Sequence, residues 1–210
     1  MSGFFYYCMM RIDSLTVGLW QVNCYMIHKD GHILCIDPGA STKRLVSYLE
    51  QFPEETLDAI LLTHGHFDHI GAVNELVETY HCPVYLSPED DKLVHTLSVN
   101  SIGKHGAVLN HPYTPYPYGS LTIGPFEIAV YDTPGHTEGS VCLQMEDHLF
   151  SGDTVFRQSV GRTDLYGGSN VKLNQSLNYL KSVIRPDTYV HPGHSDSTVW
   201  KQELLDNPYL

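Results

Sequence analysis

The sequence predicts an α/β (α+β) fold, and three features carry that prediction. Short aliphatic and aromatic runs of strand length dominate each half of the 210-residue chain. Segments with apolar residues at helical spacing close each half. Several strand-like runs end abruptly in glycine, proline, histidine and aspartate, where the backbone can turn and side chains can gather.

Taken in order, residues 11–37 read as strands broken at Gly18 and at Asp30-Gly31. A helix is expected over residues 42–52, with Leu45, Val46 and Leu49 facing inward. The run Ala59-Ile60-Leu61-Leu62-Thr63 reads as a buried strand. Ile70, Val73, Leu76, Val77 and Tyr80 then repeat with helical period. Val84-Tyr85-Leu86 is a further short strand, and Ser87-Pro88-Glu89-Asp90 is a helix-capping sequence. Residues 100–118 are rich in Gly, Pro, Asn, His and Tyr, which predicts a long surface loop exposing Tyr113, Tyr116 and Tyr118. Residues 121–149 read as hairpins turning at Gly124-Pro125 and Glu146-Asp147. Leu173, Leu177, Leu180 and Ile184 mark a helix that Ser169 or Asn170 could cap, and a short final helix is expected over residues 198–206.

Composition narrows the class. Hydrophobic residues at 42% and charged residues at 17% suit a soluble globular enzyme. A formal charge of -12 argues against a nucleic-acid partner, which needs a basic face. Cys8, Cys24, Cys35, Cys82 and Cys142 form no CxxC pair and no regular framework, as expected of reduced, mostly buried thiols in a cytoplasmic protein. No run reaches the length of a membrane-spanning helix, and the apolar N-terminal stretch has neither the basic flank nor the cleavage site of a signal peptide. Residues 1–10 are expected to be a disordered extension, with Met9 or Met10 the natural start, and residues 11–210 a single domain.

The chemistry concentrates in His64-Gly65-His66-Phe67-Asp68-His69, four potential metal ligands in six residues directly after a buried strand. Imidazole and carboxylate are donors that zinc and its borderline neighbours accept. In extended backbone His64, His66 and Asp68 alternate and can point one way, and His69 can turn toward the same space as the chain enters a helix. One ion cannot easily use all four groups, so the spacing suggests two adjacent ions. Three more candidates, each just past an apolar run, complete the set: His136 in Thr133-Pro134-Gly135-His136-Thr137, Asp153 in Ser151-Gly152-Asp153, and His194 in His191-Pro192-Gly193-His194. Of the thirteen histidines, His28, His32, His81, His95, His105, His111 and His148 read as ordinary surface or core residues. His191 is a candidate outer partner of a ligand, and Asp37 closes the Asp-Pro-Gly turn.

His-x-His-x-Asp-His, Pro-Gly-His-Thr, Ser-Gly-Asp-Thr and Pro-Gly-His, in this order and spacing, resemble the metallo-β-lactamase superfamily from about Leu15 onward. Asn23-Cys24-Tyr25 and Ile36-Asp37-Pro38-Gly39 match that superfamily's early strands. Residues 159–165 (Ser-Val-Gly-Arg-Thr-Asp-Leu), Gly167-Gly168-Ser169 and Asn207-Pro208-Tyr209-Leu210 resemble the single-domain glyoxalase II-like hydrolases.

The resemblance implies an αββα sandwich, two mixed β-sheets flanked by helices, with a metal site at one edge. It implies that His64, His66 and His136 hold a first ion, that Asp68, His69 and His194 hold a second, and that Asp153 bridges them. Two divalent ions are implied, zinc first, with iron and manganese as alternatives. They would share a hydroxide aimed by Asp68 at the carbonyl of a small thioester, such as S-lactoylglutathione, and Arg162 would grip a substrate carboxylate. Gly161-Arg162-Thr163-Asp164 is also readable as a plain turn held by an Arg–Asp pair. Persulfide dioxygenases share these motifs with one iron and stand as the first alternative to thioester hydrolysis; a lactonase or esterase of the same superfamily is a further one, against which homoserine-lactone lactonases place a tyrosine where this chain has Phe156.

Overall fold

Side-chain alternation builds the first half of the protein, of which the computed structural model describes residues 10–210. The strands β1 (Arg11–Val17), β2 (Val22–Lys29) and β3 (His32–Ile36) form an antiparallel meander. On β2, Cys24 and Met26 face one way into one core while Tyr25 and Ile27 face the other way into a second. Burial on both faces explains why this stretch reads as a nearly unbroken apolar run. The helix α1 (Thr42–Leu49) leads to β4 (Thr56–Leu61), which pairs parallel with β3. After β4 come two helices, α2 (Phe67–Ile70) and α3 (Val73–Tyr80), then β5 (Val84–Leu86) and α4 (Asp91–His95).

A small hairpin, β6 (Ser101–Ile102) and β7 (His105–Gly106), precedes β8 (Thr114–Pro115), which adds itself to the first sheet beside β5. The order of that sheet is β1-β2-β3-β4-β5-β8. The second half runs β9 (Gly119–Ile123), β10 (Phe126–Asp132), β11 (Val141–Met145) and β12 (His148–Gly152), followed by a two-residue pair, β13 (Val155–Phe156) and β14 (Ser159–Val160). Then come α5 (Asn170–Val183), β15 (Tyr189–Pro192), β16 (Thr198–Val199) and α6 (Trp200–Asp206). The second sheet has the order β16-β15-β12-β11-β10-β9 and is mixed, because β12 and β15 run parallel.

Three buried clusters show the layering. Tyr25, Ile27, Leu34 and Leu61 of the first sheet meet Phe126, Ile128, Val130, Leu143 and Phe150 of the second. Leu45 and Leu49 of α1 and Val73 and Leu76 of α3 cover the outer face of the first sheet, against Met26, Cys35 and Ile60. Leu173, Leu177 and Leu180 of α5, with the fully buried Trp200 of α6, cover Cys142, Leu149 and Val190 on the second. The architecture is therefore the helix–sheet–sheet–helix sandwich that the motifs implied.

Several expectations shift. The first helix ends at Leu49 rather than Phe52, because the chain turns tightly through Glu50 and Gln51. Residues 100–118 are not simply a loop: they hold β6, β7 and the edge strand β8. Tyr116 within them is buried at 4% exposure and its hydroxyl donates to the Leu62 carbonyl, whereas Tyr118 stays exposed. Ser169, not Asn170, caps α5, accepting from the Lys172 amide. The last helix begins at Trp200, since Thr198 and Val199 pair with β15. Met10 packs partly buried against the inter-sheet core, while the rest of the expected N-terminal extension, with Cys8, lies outside the described residues. Cys24, Cys35, Cys82 and Cys142 are free and buried, as expected.

Candidate metal centre

Every predicted ligand sits on a segment leaving the C-terminal end of a strand or on the connection beyond it. β4 runs out into Thr63 and delivers His64, His66, Asp68 and His69, the last two on the first turn of α2. His136 lies on the connection from β10 to β11, Asp153 just past β12, and His194 just past β15. Because the sheets face each other, these ends converge at one rim. The Thr63 carbonyl accepts from the Val141 amide and so stitches the two sheets together beside the site.

Donor atoms of His64, His66 and His136 all lie within 4.8 Å of one another, and so do those of Asp68, His69 and His194. Asp153 stands between the groups. Its Oδ1 is 3.5 Å from His69 Nε2, and its Oδ2 is 3.4 Å from His136 Nε2 and 3.5 Å from His194 Nε2. His194 Nε2 is 3.6 Å from Asp68 Oδ2.

Hydrogen bonds behind the rings fix which nitrogen faces inward. The Thr63 hydroxyl gives its single proton to Asp37 Oδ2 at 2.6 Å, so the 3.1 Å contact with His64 requires Nδ1–H of His64 to donate. His69 Nδ1–H donates to Asp37 Oδ2, His136 Nδ1–H to the Arg162 carbonyl, and His194 Nδ1–H to the Trp20 carbonyl. Each of these four rings therefore turns Nε2 toward the centre. His66 differs: its Nδ1 lies 2.9 Å from His136 Nε2.

The donors fit divalent cations. His64 Nε2, His66 Nε2, His69 Nε2 and Asp153 Oδ1 are buried without a hydrogen-bond partner, a costly state for polar atoms unless something else binds them. Imidazole nitrogens with carboxylate oxygens suit zinc, iron or manganese. Asp37, His64 and His69 also lie within ligating distance of one another, but the Asp37 carboxylate is occupied by the Thr63 amide, the Thr63 hydroxyl and His69. Asp37 is thus more than the turn-closing residue expected: it orients one ligand directly and a second through Thr63.

Electrostatics separate the rings. Burial and the neighbouring histidines hold His64 and His66 well below the ordinary imidazole range. Burial also works to lower His69, but Asp153 and Asp37 outweigh it and push His69 up to about 10. Asp153 is held well below the usual carboxylate range: burial opposes this, and His69 and His194 overcome it. At neutral pH the metal-free His69 therefore carries a proton on Nε2 that a cation must displace. Cation affinity should rise with pH from 6 to 8, with proton release visible by calorimetry in buffers of different ionisation enthalpy. Affinity independent of pH would contradict this assignment.

Two supporting residues escaped the sequence reading. Asp90 is buried, and its carboxylate accepts from the Gly65 and Gly139 amides and the Thr137 hydroxyl, tying the first ligand loop to the His136 loop. Asn100, equally buried, accepts from the Phe67 amide and donates to the Gly65 carbonyl. His191 is not an outer partner. It stacks on Phe150 and bonds His148 and Ser197.

Arg162 lines a 340 Å³ pocket together with His66, His136, Asp153 and His194. Its guanidinium also makes two hydrogen bonds to Asp164, at 2.7 and 2.8 Å, in an ion pair whose side chains are 57% and 68% exposed. The Arg–Asp turn is therefore present beside the site. So exposed a pair is screened by solvent and held only weakly, so a competing carboxylate can displace Asp164.

Fold and donor set together define a metal-binding αββα protein. The family model for the metallo-beta-lactamase superfamily matches residues 17–196, and the chain belongs to that superfamily. It is 35% identical over 210 residues to "Probable metallo-hydrolase YqgX" of Bacillus subtilis, covering 96% of this chain and 98% of that one. Among solved structures, the BLEG-1 B3 metallo-beta-lactamase superposes with a TM-score of 0.89 at 36% identity, covering 96% of this chain and 99% of the other. TTHA1623 in a di-iron-bound form gives 0.85 at 38% identity, covering 94% and 100%.

Proposed function

We propose that this protein is a metal-dependent hydrolase that cleaves small thioesters, with a glutathione-type thiol as the leaving group. Its two donor groups would hold one divalent cation each, with Asp153 touching both. The resident cations supply Lewis acidity for a carbonyl oxygen and lower the pKa of water toward neutrality. The name of the Bacillus subtilis relative supports hydrolysis, and the di-iron form of TTHA1623 keeps iron beside zinc as a candidate.

One observation carries the thioester reading. Among the described residues lining the pocket, the ligand set apart, the side chains are apolar or aromatic except Ser159 and Arg162. Neither is an acid suited to protonating an amine or alkoxide leaving group at neutral pH. A thiolate departs without a proton, so it needs no such partner. Asp68, half-buried at the pocket wall, accepts the proton of the attacking water on a carboxylate oxygen and aims it. Phe156, Val160 and Leu165 exclude bulk water from the reacting carbonyl. Arg162 exchanges Asp164 for a substrate carboxylate, which its planar fork matches.

Likeness to BLEG-1 favours a second reading, β-lactam hydrolysis. A panel of thioesters, β-lactams and lactones, assayed on protein loaded separately with zinc and iron, decides between them. Thioesters should turn over fastest, and a single turnover in ¹⁸O-water should place label directly in the acid product. A β-lactam as the preferred substrate, an acyl-enzyme on serine or cysteine, or oxygen uptake with a persulfide would overturn the proposal.

A further inference from the structure

One wall of the pocket over the donor cluster is a very small hairpin. β13 and β14 pair Val155 with Val160 and Phe156 with Ser159, and Phe156, Ser159 and Val160 line the pocket beside Arg162. The Phe156 ring also meets the His194 ring edge-on, with centroids 6.0 Å apart. Such a hairpin cannot hold itself. Two-stranded ribbons are marginal in water, and this one has only two residues in each strand. Its turn, Arg157-Gln158, is unfavourable as well. Two-residue hairpin turns favour positive φ at the first central residue or at both. Here only the second, Gln158, has it, at φ +57°, a left-handed backbone that a residue with a side chain adopts at a cost.

The turn is closed from outside, by α6 and the residue that follows it. Glu203 of α6 is fully buried, and its Oε2 accepts from the Gln158 amide at 2.7 Å. Asn207, also buried, donates from its side-chain amide to the Ser159 carbonyl at 2.9 Å and to Glu203 Oε2 at 3.0 Å, with the Phe156 carbonyl 3.3 Å away. Asn207 Oδ1 accepts from the Tyr209 amide, and Glu203 Oε1 accepts from the Thr198 hydroxyl at 2.7 Å, so neither side chain turns freely. All three groups that donate to Glu203 are neutral. A buried carboxylate bound only by neutral donors and a left-handed glutamine both cost stability, and both serve one turn at the pocket wall.

We infer that Glu203 and Asn207 are positioning residues for the substrate: through Gln158 and Ser159 they hold Phe156, Ser159 and Val160 where the substrate packs over the donor cluster. This rests on the pocket being the substrate site, as the reading above has it, but not on the substrate being a thioester. Glu203 takes no part in the chemistry, because its oxygens are occupied by the Gln158 amide, the Thr198 hydroxyl and Asn207. When the clamp is loosened, the hairpin opens and the substrate is held less tightly. The donor cluster takes no member from the hairpin, so its cations stay.

The test pairs one clamp variant with two at the turn. Asn207→Ala removes the donor to Ser159. Gln158 is exposed, so its side chain can be changed without disturbing the core. Gln158→Val drives the turn out of the left-handed region, which a β-branched residue resists, whereas Gln158→Gly suits that region. For the substrate that the wild type turns over best in the panel above, Asn207→Ala and Gln158→Val should each raise KM roughly tenfold with kcat little changed. Gln158→Gly should keep the wild-type KM, and metal content should match the wild type in all three. Hydrogen exchange gives a readout independent of turnover. The Gln158 amide should exchange at least about tenfold faster in Asn207→Ala, while amides inside β12 and α5 keep their protection. If Asn207→Ala loses structure generally, with metal content and all protection falling together, the two Gln158 variants decide alone. A KM in Gln158→Val equal to that of the wild type, or unchanged exchange at Gln158 in a folded Asn207→Ala, would overturn the inference. If a β-lactam or lactone is hydrolysed in place of thioesters and its KM responds as stated, the thioester reading falls and the clamp stands. If thioesters turn over with a KM indifferent to these changes, the clamp alone falls.

Discussion

Asp153→Ala should empty both cation positions at once and abolish hydrolysis. Its Oδ1 faces His69 of one group, and its Oδ2 faces both His194 of that group and His136 of the other, so the one carboxylate touches both. It also supplies a buried negative charge at the centre of the donor set. Loss of an outer partner alone costs a metal site roughly 10–100-fold, so loss of a shared ligand should exceed about 100-fold in kcat/KM. Metal content should fall from near two ions per chain toward zero, while His194→Ala should chiefly lower the second. Asp153 Oδ1 has no hydrogen-bond partner in the protein, so the metal-free fold should tolerate the alanine, with far-UV dichroism unchanged. A variant that keeps one tightly held ion and most of its activity would show that the site works with a single cation.

The candidate ligands were legible because each announces itself locally. An apolar run stops, a glycine or proline turns the chain, and a histidine or aspartate stands where a strand end must lie. The sandwich came from the resemblance rather than from periodicity, since strands buried on both faces, such as β2, lose the alternation that separates strand from helix. Asp90 was not legible for a different reason. Ser87-Pro88-Glu89-Asp90 reads as a local cap, and Ser87 does accept from the Glu89 amide. The Asp90 carboxylate instead serves amides at Gly65 and Gly139, residues that only the folded sheets bring together. Asn100 and Tyr116 were assigned to surface for the same reason, because their partners are backbone atoms of a ligand loop and of a strand end far away in sequence. Arg162 shows the reverse case. Its pairing with Asp164 is readable two residues away, while its expected place beside the site came only from the resemblance.

Gly193→Ala should disable the same centre without removing a ligand. A Cβ at this position would stand 2.3 Å from Asp153 Oδ1 and 2.7 Å from His69 Cε1, closer than unbonded carbon and oxygen atoms approach. The main chain cannot easily retreat. The Gly193 amide donates to the Gly152 carbonyl at 2.8 Å, and the Gly193 carbonyl accepts from the Asn23 amide at 2.8 Å, so the segment is pinned on both sides. Asn23 adds a second clamp through its side chain, which donates to the Pro192 and Ser195 carbonyls on either side of the glycine. The side chains must therefore move, and the nearest is the shared carboxylate. Displacement of a catalytic group by about 1 Å costs on the order of 10²-fold in rate. Gly193→Ala should thus lose roughly that factor in kcat, bind less than two ions per chain, and unfold at lower temperature in its metal-loaded form. In metal-free protein Asp153 is free to swing aside, so the two unfolding temperatures should draw closer together than in the wild type. If Gly193→Ala binds two ions and turns over normally, the backbone yields after all, and the crowding at this rim does not position Asp153.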